Sequence, residues 1–367
     1  MGPPKLIDFD GNRDNNFTAI RITLAWFVLY GHSFAVSNVS KIHDPLNQVF
    51  QDSIWIGRLA VFGFFAISGY LVTASFVKRG IIDYSVSRIL RIFPALIICV
   101  LLLVFVLGPV ATNLNLKDYF SNDSTFSYLR NALALHPLEY NLPGVFEENP
   151  FKNAVNGSLW SIPLEVRCYL LLMIIGWFGF FRDKIIANIC ILSIFVFGYY
   201  FFSDIPLIGL SKKWPNPSLF FLLGVFFYIN RRHIYIDGKL AILASFLAYT
   251  SFGEDWFFYV FPVSFVYLIF YLAYVSKELG LTKRLGDISY GLYIYAWPMQ
   301  QIVASLDPTG TPYSNTFWSS ILTIIFAYIS WIYIEKPALQ LKQKILGTSK
   351  CNYFPFTQVV SKLKKAK

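Results

Sequence analysis

Charge is scarce in this 367-residue chain. Asp, Glu, Lys and Arg make up 14% of it and 56% of its residues are apolar, whereas an ordinary soluble domain is about 25% charged. Mean hydropathy is +0.52. The apolar residues come in uninterrupted runs rather than at the period of a half-buried helix or strand. One of them, 92–110, carries no charge and is about as long as a bilayer core is thick. A soluble globular fold is thereby excluded. Cysteine is scarce too: Cys99, Cys168 and Cys190 fall within apolar runs, Cys351 lies near the end, and none has metal-type spacing. No disulfide framework and no metal site are expected. No cleavable leader is expected either. Residues 1–16 are polar and carry Asp8, Asp10, Arg13 and Asp14 ahead of the first apolar run, so the first helix is expected to stay as an anchor.

A formal net charge of +10 invites a nucleic-acid reading, but the placement of the charge argues against one. No basic groove with interleaved aromatics is present. Apolar runs bounded by charge, Pro, Asn and Gly predict helices near 17–37, 58–77, 92–111, 160–181, 185–203, 217–230, 239–252, 256–275, 287–306 and 317–334. Threading the chain through a bilayer in that order sorts 22 of its 31 basic residues to one side and 7 to the other, with Arg21 and Arg167 inside helices. The expected fold is therefore all-α, a polytopic membrane protein of about ten spans with both termini cytoplasmic. Residues 1–16 form a cytoplasmic segment, 17–337 the membrane domain, and 338–367 a basic cytoplasmic tail resting on anionic lipid. The stretch 112–159 is the longest loop, lies outside, shows little apolar periodicity, and is expected to cover a site.

A charge in hydrocarbon costs at least about 2.5–3.5 kcal/mol on insertion scales, so each one needs a reason. Within the predicted spans they are few: Arg21 and His32 on the first helix, Glu165 and Arg167 on the fourth. Arg21 and His32 are eleven residues apart, about 20° past three turns, and so share a face with a rise of roughly 16 Å between them. Glu165, on a helix running the other way, is expected at about the depth of His32, where a carboxylate would fix the imidazole tautomer for general-base work. Structural alternatives stand beside this: a snorkelling Arg21, and His32 as an inter-helix hydrogen-bond partner.

These residues and their neighbours resemble the acyltransferase-3 group of membrane acyltransferases, over 16–337. Arg21 to His32 is similar to that family's Arg-x10-His signature. Phe64-Phe65-Ala66-Ile67-Ser68-Gly69 resembles its second-helix motif, and Arg88-Ile89-Leu90-Arg91 its cytoplasmic Arg-x-x-Arg segment. Ser158-Leu159-Trp160 through Glu165, Ile288-Ser289-Tyr290-Gly291-Leu292-Tyr293 and Glu335-Lys336-Pro337 resemble three further patterns. One departure is that members commonly carry a histidine after Tyr293, where this chain reads Ile294-Tyr295-Ala296-Trp297-Pro298. That leaves His32 as the one histidine in an assigned span, with His43, His136 and His233 in loops.

The resemblance implies acetyl-CoA as acyl donor on the cytoplasmic side and a saccharide or lipid-linked glycan acceptor outside, in a bacterial inner membrane. O-antigen, exopolysaccharide, capsule and lipo-oligosaccharide are the candidate glycans. Arg88 and Arg91 would hold donor phosphates, Arg21 would guide the pantetheine arm or polarise the thioester, and His32 would take the acceptor's proton, by direct transfer or through an acyl-histidine. Trp160, Arg167 and Tyr290 are candidate acceptor contacts. Ser68 with Gly69 reads as a close-packing pair, and Glu335 as the partner of a cytoplasmic arginine. A fused esterase-like domain of the kind some members carry is not expected here. The rival class is a transporter or exporter of a glycan or small anion, in which the same charges line a pathway.

Overall fold

The computed structural model of the chain describes residues 2–12, 14–37, 42–49, 54–201, 216–275 and 279–347. Arg13, Lys41, Lys212, Lys213, Lys277, Cys351 and the basic end of the tail at 362–367 lie outside the described residues. The described residues are helical, with no strand among them. Two isolated bridges pair Lys5 with Tyr235 and Thr112 with Val145.

Every predicted apolar run is helical. In chain order they form α1 (Phe17–Val36), α2 (Ile56–Leu102, which holds two runs), α4 (Ser161–Trp177), α5 (Lys184–Phe201) and α6 (Pro217–Ile229). They continue as α7 (Gly238–Thr250), α8 (Phe257–Tyr274), α9 (Ser289–Leu306) and α10 (Pro312–Ser330). Two helices of more than two turns were not expected: α3 (Asp123–Ala134) and α11 (Lys336–Leu346). Five stretches are long and apolar enough to cross a bilayer: Phe17–Val36, Ile56–Ala111, Gly157–Trp177, Phe257–Tyr274 and Pro312–Leu346. The chain is thus an all-helical, multi-pass membrane protein.

Two expectations need correcting. The 78–91 stretch is not a loop. α2 is continuous except at Gly80, whose φ of 80° and ψ of 177° break it into two arms. Only glycine takes that conformation without strain, so the turn is confined to one residue and Arg88 and Arg91 ride on the second arm. The long 112–159 stretch is also partly helical. α3 buries Thr125, Tyr128, Asn131 and Ala132, is capped by the Asn122 side chain accepting from the Ser124 N–H, and ends at Leu135 in the left-handed region. Its polar side diluted the apolar signal in the sequence.

With no hydrophobic force between helices in lipid, close backbone approach has to hold the bundle. α2 and α6 achieve this through Gly69 and Gly224. A Cβ on Gly69 would lie 2.0 Å from the Phe221 carbonyl oxygen, and one on Gly224 2.2 Å from that of Ala66. Phe62 and Phe220 stack beside this crossing at 4.2 Å between ring centroids. On one face of the molecule the N-terminal segment is tied down: Leu6 N–H donates to Ile234 O at 2.8 Å, and Asp10 pairs with Lys78 and Arg231. Lys342 of α11 reaches Asp83 on the same face at 2.8 Å. On the opposite face, Asn149 donates to the Gln301 backbone carbonyl at 2.9 Å and to its Oε1 at 2.8 Å, holding the 112–159 stretch against α9.

Gly224→Ala and Gly69→Ala should each destabilise the protein by about 1–3 kcal/mol, because backbone rather than a pliable side chain must move. Gly63→Ala, whose Cβ meets only the Leu24 side chain, should cost less. Thermal unfolding midpoints in detergent check the order.

Candidate active site

Two cavities lie one above the other along α9. The first, about 410 Å³, opens on the face that carries the N-terminal segment. Its walls bear Arg21, Arg79, Arg88, Arg91 and Lys342, with Glu165 and Asp287 as the acids. Three of these charges, Arg21, Arg91 and Asp287, are tied into one cluster. Asp287, in the turn before α9 and outside the helices, pairs with Arg21 and accepts from Arg91 Nη2 at 2.9 Å and from Ser289 Oγ at 2.6 Å. Arg91 Nη1 lies 3.5 Å from Oε2 of Glu335, itself buried and held by Ser330 Oγ at 3.1 Å. Burial works to raise the Asp287 pKa, but the Arg21 and Arg91 guanidinium groups outweigh it and hold the carboxyl at about 2.

Arg88 is different. Among the described residues it has no ion pair, its Nε is buried without a hydrogen-bond partner, and its guanidinium lies 5.6 Å from the Tyr169 ring centroid. It is a cation held ready in a cavity, which suits a phosphate. Glu165, on the same wall, accepts from Ser68 Oγ at 3.1 Å and from the Tyr169 hydroxyl. Tyr290 donates to the Ile92 carbonyl at 3.0 Å and faces Arg91.

The second cavity, about 720 Å³, opens on the opposite face and is lined by His32, Asp44, Trp55, Trp160, Lys152 and Trp297 among others. His32 is only 5% exposed. Its ring meets Trp297 edge-on at 4.8 Å and Trp55 at 5.6 Å, and its Nδ1 has no hydrogen-bond partner among the described residues. Trp55 reaches the ring because Gly31 and Gly57 leave a slot: a Cβ on Gly57 would fall 1.9 Å from the indole. Trp160 stands 38% exposed at the cavity wall.

What separates the cavities is thin. Tyr293 lines the first and Trp297, one turn further along α9, lines the second. The Tyr293 hydroxyl lies 2.6 Å from Ser161 Oγ and donates to the Ser158 carbonyl at 2.8 Å. Gly157 packs flat on Trp297, whose Nε1 donates to the Ala154 carbonyl at 2.9 Å. Pro298 has no N–H to give to the Ile294 carbonyl, and the Asn156 side chain donates to it instead at 2.9 Å. The proline thus creates the acceptor that fixes the start of α4 against α9.

The sequence-predicted residues therefore divide. Arg21, Arg88, Arg91, Glu165 and Tyr290 meet in the first cavity; His32 and Trp160 meet in the second; Arg167 sits in neither. The expected pairing of Glu165 with His32 is not formed. Glu165 stands a turn too far along α4 and points to Ser68 on α2, whereas the residues of α4's entry facing the second cavity are Gly157 and Trp160. The expected Ser68–Gly69 packing pair also separates: Gly69 packs, and Ser68 donates to Glu165. Glu335 finds its arginine as expected. Asp287, the centre of the cluster, was overlooked, although an acid as the first residue of a predicted apolar run is a signal in itself. Asn156, Gln300 and Gln301 were missed because a search for charge passes over amides.

An ion-lined pocket and an aromatic, histidine-bearing pocket thus lie next to each other along α9 in a helical membrane bundle, an arrangement that suits the transfer of a group from one to the other. The chain belongs to the acyltransferase-3 family, whose model, an acyltransferase domain, matches residues 14–335. It is an acyltransferase. An "O-acetyl transferase" of Shigella phage Sf6 is 27% identical over 343 residues, covering 89% of this chain and 96% of that protein. "Nodulation protein 10" of Rhizobium leguminosarum bv. viciae is 24% identical over 390 residues, covering 95% and 98%. "O-acetyltransferase OatA" of Staphylococcus aureus is 25% identical over 335 residues; the match spans 77% of this chain and 52% of that protein. No solved structure matches.

The depressed Asp287 carboxyl gives a pH signature. Its stabilising contribution is complete above the ordinary carboxylate value of 3.8 and is lost as pH falls through about 2. The difference is worth about 2 kcal/mol. The thermal midpoint of the purified protein should fall over that window. Asp287→Asn, which leaves two arginines without their anion, should lower the midpoint at neutral pH and flatten the slope.

Proposed function

We propose that the enzyme moves an acetyl group from acetyl-CoA, bound in the first cavity on the cytoplasmic side, to a hydroxyl of an extracytoplasmic saccharide bound in the second. In this reading the protein lies in a bacterial cytoplasmic membrane with about ten spans and both termini inside. Residues 1–16 and 338–367 flank a catalytic domain at 17–337. The acceptor is a surface or secreted glycan such as O-antigen, exopolysaccharide, capsule or lipo-oligosaccharide, in free or lipid-linked form. The relatives named as O-acetyltransferases support the chemistry.

The observation that carries the reading is the pairing of a cationic cavity with a histidine-bearing one across a single layer of side chains. Arg88, with its buried Nε unsatisfied, fits a donor phosphate, and Arg79 and Lys342 add charge at the mouth. Arg21 and Arg91, neutralised by Asp287 and Glu335, line the path that the pantetheine arm would follow. Glu165, held by Ser68 and Tyr169, shapes that path, and Tyr290 supports Arg91. Across the Tyr293–Ser161 contact, His32 meets the acceptor. The hydroxyl oxygen attacks the thioester carbonyl, its proton passes to the imidazole, the new C–O bond replaces the C–S bond, and the thiolate leaves towards the donor side. Trp160 and Trp55 offer faces for a sugar ring.

Membranes supplied with radiolabelled acetyl-CoA test this. Wild type should label glycan, and His32→Ala should lower the rate by about a hundredfold or more. Arg88→Gln should raise KM for acetyl-CoA several-fold with little change in kcat. A His32→Ala protein that transfers at the wild-type rate would overturn the role given to His32.

A further inference from the structure

Two chain segments change cavity at the same level. On α9, Tyr293 lines the first cavity and Trp297 the second; at the entry of α4, Trp160 lines the second and Ser161, the next residue, the first. Consecutive Cα atoms are about 3.8 Å apart, so Ser161 lines the first cavity within one residue of the wall of the other. We propose that Ser161 is a catalytic residue whose hydroxyl donates a hydrogen bond to the thioester carbonyl oxygen and stabilises the negative charge that gathers there during transfer. The proposal rests on the acyltransferase reading above and deepens its chemical step.

Attack by the acceptor oxygen forms a C–O bond and pushes the carbonyl π pair onto the thioester oxygen, which becomes an oxyanion. Collapse re-forms the C=O bond, breaks the C–S bond and expels the thiolate. His32 takes the acceptor's proton in this reading, so the oxyanion needs a donor of its own. The cations of the first cavity are already engaged. Arg21 and Arg91 pair with Asp287, and Arg91 also lies against Glu335. Lys342 pairs with Asp83 at 2.8 Å, and Arg79 approaches the same carboxylate at 3.8 Å. Arg88 is assigned to a donor phosphate. A neutral hydroxyl is what remains for the oxyanion.

Among the hydroxyls lining that cavity, Ser161 is the easiest to redirect. Those of Ser68, Ser87, Ser289, Tyr169, Tyr290 and Tyr293 donate to a carboxylate or a backbone carbonyl. Because Tyr293 gives its proton to the Ser158 carbonyl, Ser161 is the donor in their 2.6 Å contact and a phenolic oxygen the acceptor. Turning the Ser161 O–H about its Cβ–Oγ bond onto a substrate oxygen therefore breaks no bond to a charged or carbonyl acceptor, and leaves Tyr293 held by Ser158. Ser161 is only 5% exposed, so the new bond would form away from bulk water, where it is worth most. It is also the first residue of α4, at the positive end of the helix macrodipole. Ser158, in the 3-10 turn Gly157–Trp160, is fully buried, and its Oγ has no hydrogen-bond partner among the described residues. The layer between the cavities thus holds more hydroxyl donors than the fold itself uses.

Membranes carrying the full chain, supplied with radiolabelled acetyl-CoA over a range of concentrations, test this through the label that enters glycan. S161A should lower kcat by about a hundred- to a thousandfold, as loss of one oxyanion donor does, with KM for acetyl-CoA within about twofold of wild type. S161T keeps the hydroxyl and should recover to within about tenfold of wild type. Y293F should lower kcat far less than S161A. If the Ser161–Tyr293 contact only braced α4 against α9, cutting it from either side would cost the same. Equal losses in S161A and Y293F would therefore overturn the proposal. So would label on Ser161 itself in acid-quenched protein, which would make the serine a nucleophile instead. Should S161A fail to fold, S161C decides by the same split between kcat and KM, since a thiol has a similar shape and is a weak donor. A wild type that labels glycan, with S161A within about threefold of it, overturns this role and leaves the acyltransferase reading intact. A wild type that labels no glycan overturns that reading, and this role with it.

Discussion

The architecture depends on the cost of placing charge where water is scarce. Arg21, Arg91, Asp287 and Glu335 come from α1, the second arm of α2, the turn before α9 and the π-helical turn Trp331–Glu335 between α10 and α11, and each answers another. Two cations and two anions make a neutral cluster, so the bundle can bring four distant chain segments together with little net charge to solvate. Arg88, one turn from Arg91 on the same arm, stays outside this neutrality. Among the described residues it forms no ion pair, and its guanidinium rests against the Tyr169 ring.

Neutral polar groups do the equivalent work at the opposite face. Gln300 donates to the Leu29 carbonyl at 2.8 Å and to Ser33 Oγ at 2.7 Å, joining α9 to α1, while Thr316 of α10 reaches the same serine at 2.9 Å. Gln301, the next residue, points the other way and donates to the carbonyls of Phe151 and Ala154 at 2.8 and 2.7 Å. Adjacent glutamines on α9 thus hold the bundle with one side and its covering segment with the other. In lipid such bonds compete with little water, so a short list of amides organises a large apolar mass.

Much of this was legible in the sequence. Every apolar run became a helix because a bilayer permits few other solutions, and run length survives without any knowledge of neighbours. The shared face of Arg21 and His32 was likewise readable, being a matter of helical period alone. What was lost required knowing which helices touch. Glu165 was set beside His32 on depth along the membrane normal, but its rotation about α4 decides its partner, and that turns it to Ser68. α3 was lost because its polar side resembles loop composition. The arm from Gly80 to Arg91 was lost because its charges mimic a connecting loop although the backbone remains helical. Asn156 answers the Ile294 carbonyl freed by Pro298, a contact between residues 138 apart that no local pattern announces.

Trp297 has a consequence of its own. One indole touches the His32 ring, lies on Gly157, meets Phe151 edge-on at 5.0 Å and is tethered to Ala154. Anything entering the second cavity that displaces Phe151 or the 154–157 segment must also alter the packing of the imidazole. Occupancy of the second cavity and the packing of the His32 imidazole are therefore coupled mechanically through one indole.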